Sequence, residues 1–357
     1  MRTLLRPTAF IDSPFGFDGQ VARLAGGMSW FSAIELIAVE GGKRTTTELV
    51  SVQSFKGRLD DDLKAQWDRL TTAPRPPLSL GGRIIRLDEP QVMGIVNVTP
   101  DSFSDGGTFA EAEQAIAGGA RMSEAGAAIV DVGGESTRPG ANPVWEGDEI
   151  GRVVPVIERL AAAGTAVSID TRKSDVMTAA LGAGARMIND VSALTYDPRS
   201  AETVAAARVP VVLMHHKGSP ETMQDAPRYG DVVVEVYEWL EERISAAEDA
   251  GIDRSLILVD IGFGFGKSVA HNLELMNNLA LFHSLGCALV VGASRKRTIG
   301  ALSNEAPVGE RLGGSIAFAL KAAEQGVQIL RVHDVPETVQ ALKVWRGLRD
   351  QALTPRV

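Results

Sequence analysis

Eight short apolar runs rich in Val and Ile, separated by segments of helical pattern, constrain what this chain can fold into more than any other feature. They are Val92–Val98, Ala127–Gly133, Val167–Thr171, Met187–Val191, Val209–His215, Leu256–Gly262, Leu289–Ser294 and Ile329–Asp334. A continuous apolar run is what a parallel strand buried on both faces requires. The intervening segments, such as EAEQAIAGGARMSEAG, EIGRVVPVIERLAAAG and DVMTAALGAGA, carry apolar residues at helical spacing and a glycine near the end. Strands alternating with helices predict βα units, and eight of them favour an α/β closed TIM (β/α)8 barrel. A doubly wound open sheet is the alternative, because periodicity alone does not show closure.

With 357 residues the chain has room for such a barrel, about 250 residues, and a smaller appendage. Residues 1–85 read as a small α+β extension ahead of a barrel domain over 86–357. In the extension SAIELIAVE and TTTELVSVQSF resemble paired strands, DDDLKAQWDRLTT a helix and APRPPL a linker. LGGRIIRL, just ahead of the first barrel strand, predicts a hairpin that plugs the N-terminal end of the barrel.

Composition removes several functions. Charged residues at 23% and the lack of an apolar run near the roughly 18 residues that span a bilayer argue against a membrane protein. The first residues lack the apolar stretch and cleavage site of a signal peptide, so a cytoplasmic location is expected. A single cysteine, Cys287, excludes an internal disulfide, and no Cys/His cluster has zinc-ligand spacing. The formal charge of −9 argues against a nucleic-acid surface, leaving small molecules as the expected partners.

Active sites of TIM barrels lie at the C-terminal ends of the strands, and here nearly every predicted strand ends in polar residues. The first runs into Asn97 and VTPDSFSDGG, the second into Asp131 and GGESTRPG, the third into Asp170 and the fourth into Asn189 and Asp190. The fifth ends in Met214, His215, His216 and Lys217, the sixth in Asp260, the seventh in Ser294, Arg295 and Lys296, and the eighth in Arg331, His333 and Asp334. One such residue would more often be a helix cap than a ligand. Eight junctions converging on one rim point to a site. Asp170, Asn189 and Asp260 suit a flat heterocycle with adjacent N–H and carbonyl groups, whereas Asn97, Arg138, Lys296, Arg331 and His333 suit a pyrophosphate. That division predicts an acidic pocket deep inside and an anion clamp at the mouth. No nucleophile stands beside a base in the sequence pattern, so covalent catalysis has no carrier.

Through VMGIVNVTPDSFSDGG, IVDVGGESTRPGA, SIDTRK, MINDVSAL, DIGFGFGKS, VGASRKRTIGAL and RVHDV, in unbroken order from about Val92 to Leu342, the chain closely resembles dihydropteroate synthase. The resemblance implies transfer of a pterin from its pyrophosphate to p-aminobenzoate, Mg²⁺ as cofactor and a homodimer. By position it implies that Asn97 holds the metal, that Thr137, Asp170, Asn189, Met214, Asp260 and Lys296 bind the pterin, and that Arg331 and His333 anchor the diphosphate. Phe265 and Lys267 fall in the glycine-rich loop on the p-aminobenzoate side, with Phe103, Pro139 and Arg297 expected near that substrate. Asp101, Asp105 and Arg138, with Lys296, would order the metal and leaving group. Two positions depart from the family pattern: Ile261 where proline is common, which would soften that loop, and Arg297 where serine is common.

Other readings are weaker. GFGFGKS nearly spells a phosphate-binding loop, but the pattern would need glycine at Ile261. His215 and His216, adjacent on a strand, would point to opposite faces and so not share a metal. His271 and His283 read as structural or solvated, and Cys287 as an inert packed thiol. A pterin-binding methyltransferase barrel has less need of Lys296, Arg331 and His333, and an inactive pterin-binding paralogue would not keep every motif position filled.

Overall fold

The computed structural model describes residues 2–71, 75–98, 107–136, 143–218, 223 and 226–354, with the side chains of 107–110 left aside. The predicted barrel is present and closed, which removes the open-sheet alternative: β7 (Gln91–Asn97), β8 (Ile129–Gly133), β9 (Val167–Asp170), β10 (Met187–Asp190), β11 (Val211–Met214), β12 (Ile257–Asp260), β13 (Ala288–Val291) and β14 (Ile329–Val332) run parallel, and β14 pairs back onto β7. Around them lie α3 (Gly107–Glu124), α4 (Glu146–Ala162), α5 (Ser174–Ala183), α6 (Ser200–Ala207), α7 (Val232–Asp249), α8 (Val269–Asn277), α9 (Arg297–Leu302), α10 (Leu312–Glu324) and α11 (Val335–Ala352). Tight 3₁₀ turns precede or follow some strands, the longest being Leu279–Leu285.

Ahead of the barrel, β1 (Arg2–Ile11), β2 (Ala22–Arg23), β3 (Trp30–Glu40) and β4 (Lys43–Ser51) form an antiparallel sheet with β3 in its centre. The β3–β4 pair is the expected one, closed by a two-residue turn at Gly41 and Gly42 whose φ values of +57° and +72° favour glycine. Two features differ from the sequence reading. The stretch VQSF, expected to continue the strand, is the short helix α1 (Val52–Phe55), started by the Ser51 hydroxyl accepting from the Ser54 amide. The first strand, β1, carries no clean alternation, because Arg2, Arg6 and Pro7 interrupt it; as the sheet's edge it needs only one partner, β3. The helix α2 (Asp61–Thr71) forms as expected and packs Trp67 and Leu70 against Phe31 and Phe55 of the sheet layer.

The segment expected as a linker is bolted down. Arg75 is buried and its guanidinium donates to the carbonyls of Cys287, His283 and Arg69. It leads into the hairpin β5 (Leu78–Leu80) and β6 (Arg83–Ile85), which places Leu78, Leu80, Ile85 and Leu87 against Met93, Ile129, Met187, Val212, Leu258, Ala288 and Ile329. These barrel residues are the lower inward-facing layer of their strands, so the hairpin is the plug that the sequence predicts. Cys287 is buried in the main apolar core, with burial pushing its thiol up to about 11.

Because Leu80 is fully buried between hairpin and barrel floor, Leu80→Ala is expected to cost about 2–5 kcal/mol of stability. Denaturant unfolding measures it, and a loss within experimental error would mean that the plug is not part of the cooperative core.

Candidate active site

Side chains alternate along a strand, so positions two residues above the plugged layer also point into the barrel. Register brings Asn97, Gly133, Asp170 and Asn189 side by side across β7 to β10, and pairs Met214 with Asp260 across β11 and β12. At the centre stands Arg331, whose Nε donates to Asp131 Oδ2 at 2.7 Å and whose Nη2 donates to Asp170 Oδ2 at 2.6 Å. Asn189 Nδ2 donates to the same Asp131 oxygen at 2.9 Å. The other oxygens of both carboxylates, Asp131 Oδ1 and Asp170 Oδ1, are buried without a hydrogen-bond partner among the described residues.

This arrangement changes the expected division of the rim. Arg331, read as part of an anion clamp at the mouth, lies among the deep carboxylates. Asp131, a strand-end residue given no role by the sequence reading, is the hub that orients both Arg331 and Asn189. The only signal for it was an aspartate inside the otherwise apolar run IVDVG. Asn189 and its neighbour separate: Asn189 faces the barrel, while Asp190 accepts from the Ser192 amide and hydroxyl and the Leu194 amide, holding a turn.

Burial raises the Asp170 carboxyl to about 7 against the pull of Arg331, with the Asp131 charge adding to the rise. One guanidinium cannot neutralise two buried carboxylates, so Asp170 keeps its proton readily. Asp260 is raised too by burial, although the Gly262 amide donates to it at 2.7 Å. A Cβ placed on Gly292 would lie 3.9 Å from both Arg331 Cδ and Asp260 Oδ2, so this glycine separates the two groups. Burial opposes the Arg331 charge, but Asp131 and Asp170 outweigh it and raise its pKa.

At the entrance, Lys296 Nζ sits 4.1 Å over the Phe265 ring, a cation–π contact. His333 packs its Nδ1 3.1 Å from Ser294 Oγ, and burial, followed by Arg331 and Arg295, lowers its pKa to about 3. Arg295 is engaged with Asp334, and Arg297 is exposed at the first turn of α9. Lys267, expected to face a substrate, points inward: its Nζ is within 2.8 Å of His215 Nδ1 and donates to the carbonyls of Gly262 at 2.9 Å and Phe265 at 3.0 Å. Burial lowers it to about 7, while three acceptors match the three donors of the ammonium form. It braces the loop that carries Phe265. Ile261, expected to soften that loop, is buried in the barrel core.

His215 and His216 lie beyond the end of β11, so strand alternation does not apply, and both rings pack near Trp239, at 4.9 and 5.8 Å between centroids. His271 joins Ser268 in a capping box, and His283 is buried with Nε2 3.0 Å from the Gln325 carbonyl. Asp101, Phe103, Asp105, Thr137, Arg138 and Pro139 lie outside the described residues. The stems of the second loop are described and clamped. Glu135 accepts from the Val144 amide at 2.8 Å and from Lys173 Nζ at 3.0 Å, and Lys173 donates to the Val144 carbonyl at 2.7 Å.

The model of the family described as pterin binding enzyme matches residues 93–333, the barrel with its polar rim. The dihydropteroate synthase of Escherichia coli K12 is 49% identical over 264 residues, covering 74% of this chain and 93% of the relative. The chain belongs to the dihydropteroate synthase family. A solved dihydropteroate synthase of Xanthomonas albilineans with 4-aminobenzoic acid is 53% identical, with a TM-score of 0.74, covering 78% of this chain and all of that one. A second structure of that synthase, in complex with 7,8-dihydropteroate, is 50% identical with a TM-score of 0.70. The matched family residues begin at Met93, so neither the N-terminal sheet nor the plug hairpin falls within the family model.

Because the folded Asp170 carboxyl keeps its proton to about 7, whereas an unstrained one releases it near 3.8, the folded state holds the proton more tightly between those values. Its contribution to stability therefore falls as the pH rises through that window. In ligand-free protein, the Tm of the wild type minus that of Asp170→Asn is expected to grow as the pH is lowered from about 8 to about 5. A difference independent of pH would refute the buried-acid assignment.

Proposed function

We infer that the protein is a dihydropteroate synthase of folate biosynthesis. It joins (7,8-dihydropterin-6-yl)methyl diphosphate to p-aminobenzoate and releases pyrophosphate. The observation that carries the reading is the pair of carboxylate oxygens on Asp131 and Asp170 that are buried without a hydrogen-bond partner among the described residues, held beside Arg331 and Asn189 in the upper inward layer of a family-matched barrel. Buried acceptors without donors cost free energy, and a flat ligand with adjacent N–H groups would satisfy them. The Asn189 amide and Asp260 carboxylate extend the same edge, and Met214 gives it an apolar wall.

The bond that breaks is between the pterin methylene carbon and a diphosphate oxygen; the bond that forms is from that carbon to the amine nitrogen, whose proton passes to solvent or the leaving group. Asp170 and Asp260, when ionised, favour positive charge developing on the pterin; at the entrance the Lys296 ammonium favours the departing anion, to which the neutral His333 ring would offer an N–H donor. Phe265, beneath Lys296, forms part of the p-aminobenzoate side.

The site fits Mg²⁺ through one hard oxygen donor. Asn97 ends β7 at the open rim, where a Cβ on Gly133 would lie 3.8 Å from its Oδ1, and no cluster of three or more His, Cys, Asp or Glu side chains suited to a metal exists among the described residues. Mg²⁺ takes one or two protein oxygens and completes its shell with phosphate and water, so Asn97 would hold it against the diphosphate. When bound, the ion neutralises charge on the leaving group. A homodimer in the cytoplasm belongs to the same reading. It is supported by the exposed apolar Val344 and Leu348 one helical turn apart on α11, and no described helix is long and apolar enough to cross a membrane.

Purified protein given the pterin diphosphate, p-aminobenzoate and Mg²⁺ is expected to yield pyrophosphate and dihydropteroate in equal amounts. Pterin binding without product would overturn the synthase reading. Asp170→Asn and Asp260→Asn are each expected to lower kcat/KM by about tenfold or more, the worth of a charge-assisted hydrogen bond; near-normal turnover in both would count against the charge argument. Chelation of the metal should abolish turnover reversibly, with the progress of pyrophosphate release as the readout.

A further inference from the structure

The N-terminal sheet lies outside the matched family residues, yet its β3–β4 hairpin ends on the segment that supports the substrate site. Beside its Gly41–Gly42 turn, Lys43 packs so closely on Gly230 that a Cβ there would be 2.8 Å from its Cε. The next residue, Arg44, donates through Nε to Asp231 Oδ2 at 2.5 Å, and through Nη2 to Asp231 Oδ1 at 3.1 Å and to Glu274 Oε1 at 2.6 Å. Asp231 is the cap of α7, accepting from the Val233 and Val234 amides. Glu274 lies on α8, the helix that the glycine-rich loop Gly262–Ser268 enters. One guanidinium therefore ties together the helices on either side of that loop.

From Asp231 the connection runs two residues back to Tyr229, whose hydroxyl donates to the Gly266 carbonyl at 2.8 Å. Gly266 sits between Phe265 and Lys267 and packs directly on the chain beyond β11; a Cβ there would be 2.2 Å from the Lys217 carbonyl oxygen. Lys217 in turn donates to the Arg228 carbonyl at 2.8 Å and lies 4.2 Å over the Tyr229 ring. The loop is thus held from inside by Lys267 on His215 and from outside by Tyr229 on Gly266. Phe265 immediately precedes both fastenings, and its own carbonyl accepts from Lys267 Nζ.

We propose that Arg44 is a positioning residue for the p-aminobenzoate side of the site, acting through Asp231, Tyr229 and Gly266 on the loop that presents Phe265. The assignment rests on the synthase reading for its substrate, and it gives the N-terminal sheet a task in the reaction. A lysine at this position would present one compact ammonium in place of the forked, planar donors with which Arg44 grips both oxygens of Asp231 while also holding Glu274.

The test compares Arg44→Ala, Arg44→Lys, Tyr229→Phe and the double variant Arg44→Ala/Tyr229→Phe with the full-length wild type. Arg2→Ala is the control: it removes another tie between sheet and barrel, that of Arg2 with Glu241 on α7, away from the loop. KM for each substrate, kcat, Tm and amide hydrogen exchange over Gly262–Ser268 are measured. Arg44→Ala and Tyr229→Phe are expected to raise KM for p-aminobenzoate about fivefold, the worth of one hydrogen bond, and to leave KM for the pterin diphosphate within about twofold. Both should speed exchange in the loop, Arg44→Lys should fall between, and the double variant should add little to either single change. Arg2→Ala should lower Tm without changing loop exchange. The proposal is overturned if Arg44→Ala lowers Tm alone, if the two changes add fully, or if Arg2→Ala loosens the loop equally. If the wild type forms no product while Arg44→Ala and Tyr229→Phe loosen the loop and Arg2→Ala does not, the synthase reading fails and the positioning chain stands.

Discussion

The contact of Arg331 with Asp131 and Asp170 is the interaction around which the mouth of the barrel is arranged. Removing three charges from water is costly, and the cost is recovered only where geometry is close and the remaining polar atoms find partners. Among the described residues, recovery is incomplete by two carboxylate oxygens. A cluster whose sole purpose was stability would leave none. The deficit marks where a ligand with donors belongs, and burial, by raising Asp170, keeps its protonation adjustable to what arrives.

The barrel makes that cluster possible. Below it, Leu80 and Ile85 of the hairpin close the floor against Met93, Ile129 and Leu258, so water cannot reach the carboxylates from beneath. Two residues further along the same strands, the inward positions turn polar: Asp131 above Ile129, Asn189 above Met187, Asp260 above Leu258 and Arg331 above Ile329. A residue's height in the strand decides whether it is core or site. Chemistry is concentrated at the upper layer because the lower one is dry and fixed.

This layering explains what could be read from the sequence. Parallel strands covered on both faces must be apolar throughout, so each of the eight runs announces itself, and a polar residue at its end stands out. Side-chain partners do not announce themselves. Arg331 and Asp131 are 200 positions apart, and nothing in RVHDV says that its arginine turns down toward IVDVG instead of up toward an anion. The partners of Lys267 are hidden for a similar reason: the resemblance puts it in the glycine-rich loop on the p-aminobenzoate side, but only the curvature of that loop shows that its ammonium reaches His215 and two carbonyls. The edge strand β1 was hidden by its arginines and proline, which an edge tolerates and a central strand would not.

Apolar burial and ionic ties divide the work of attaching the sheet. Leu4, Ile37 and Val39 belong to the same apolar cluster as the barrel's outer layer, and that burial supplies attachment. The ionic ties, Arg2 to Glu241, Arg44 to Asp231 and Glu274, and Arg349 to Asp12, are partly exposed, and such pairs contribute little stability each. What they add is direction. Apolar surfaces can slide by a fraction of a side chain at small cost, whereas a guanidinium shared by two carboxylates on two helices fixes both helices at once. At Arg44 the helices so fixed are the two that flank the loop of Phe265, so the sheet's attachment and the precision of the site depend on the same few ångströms of structure.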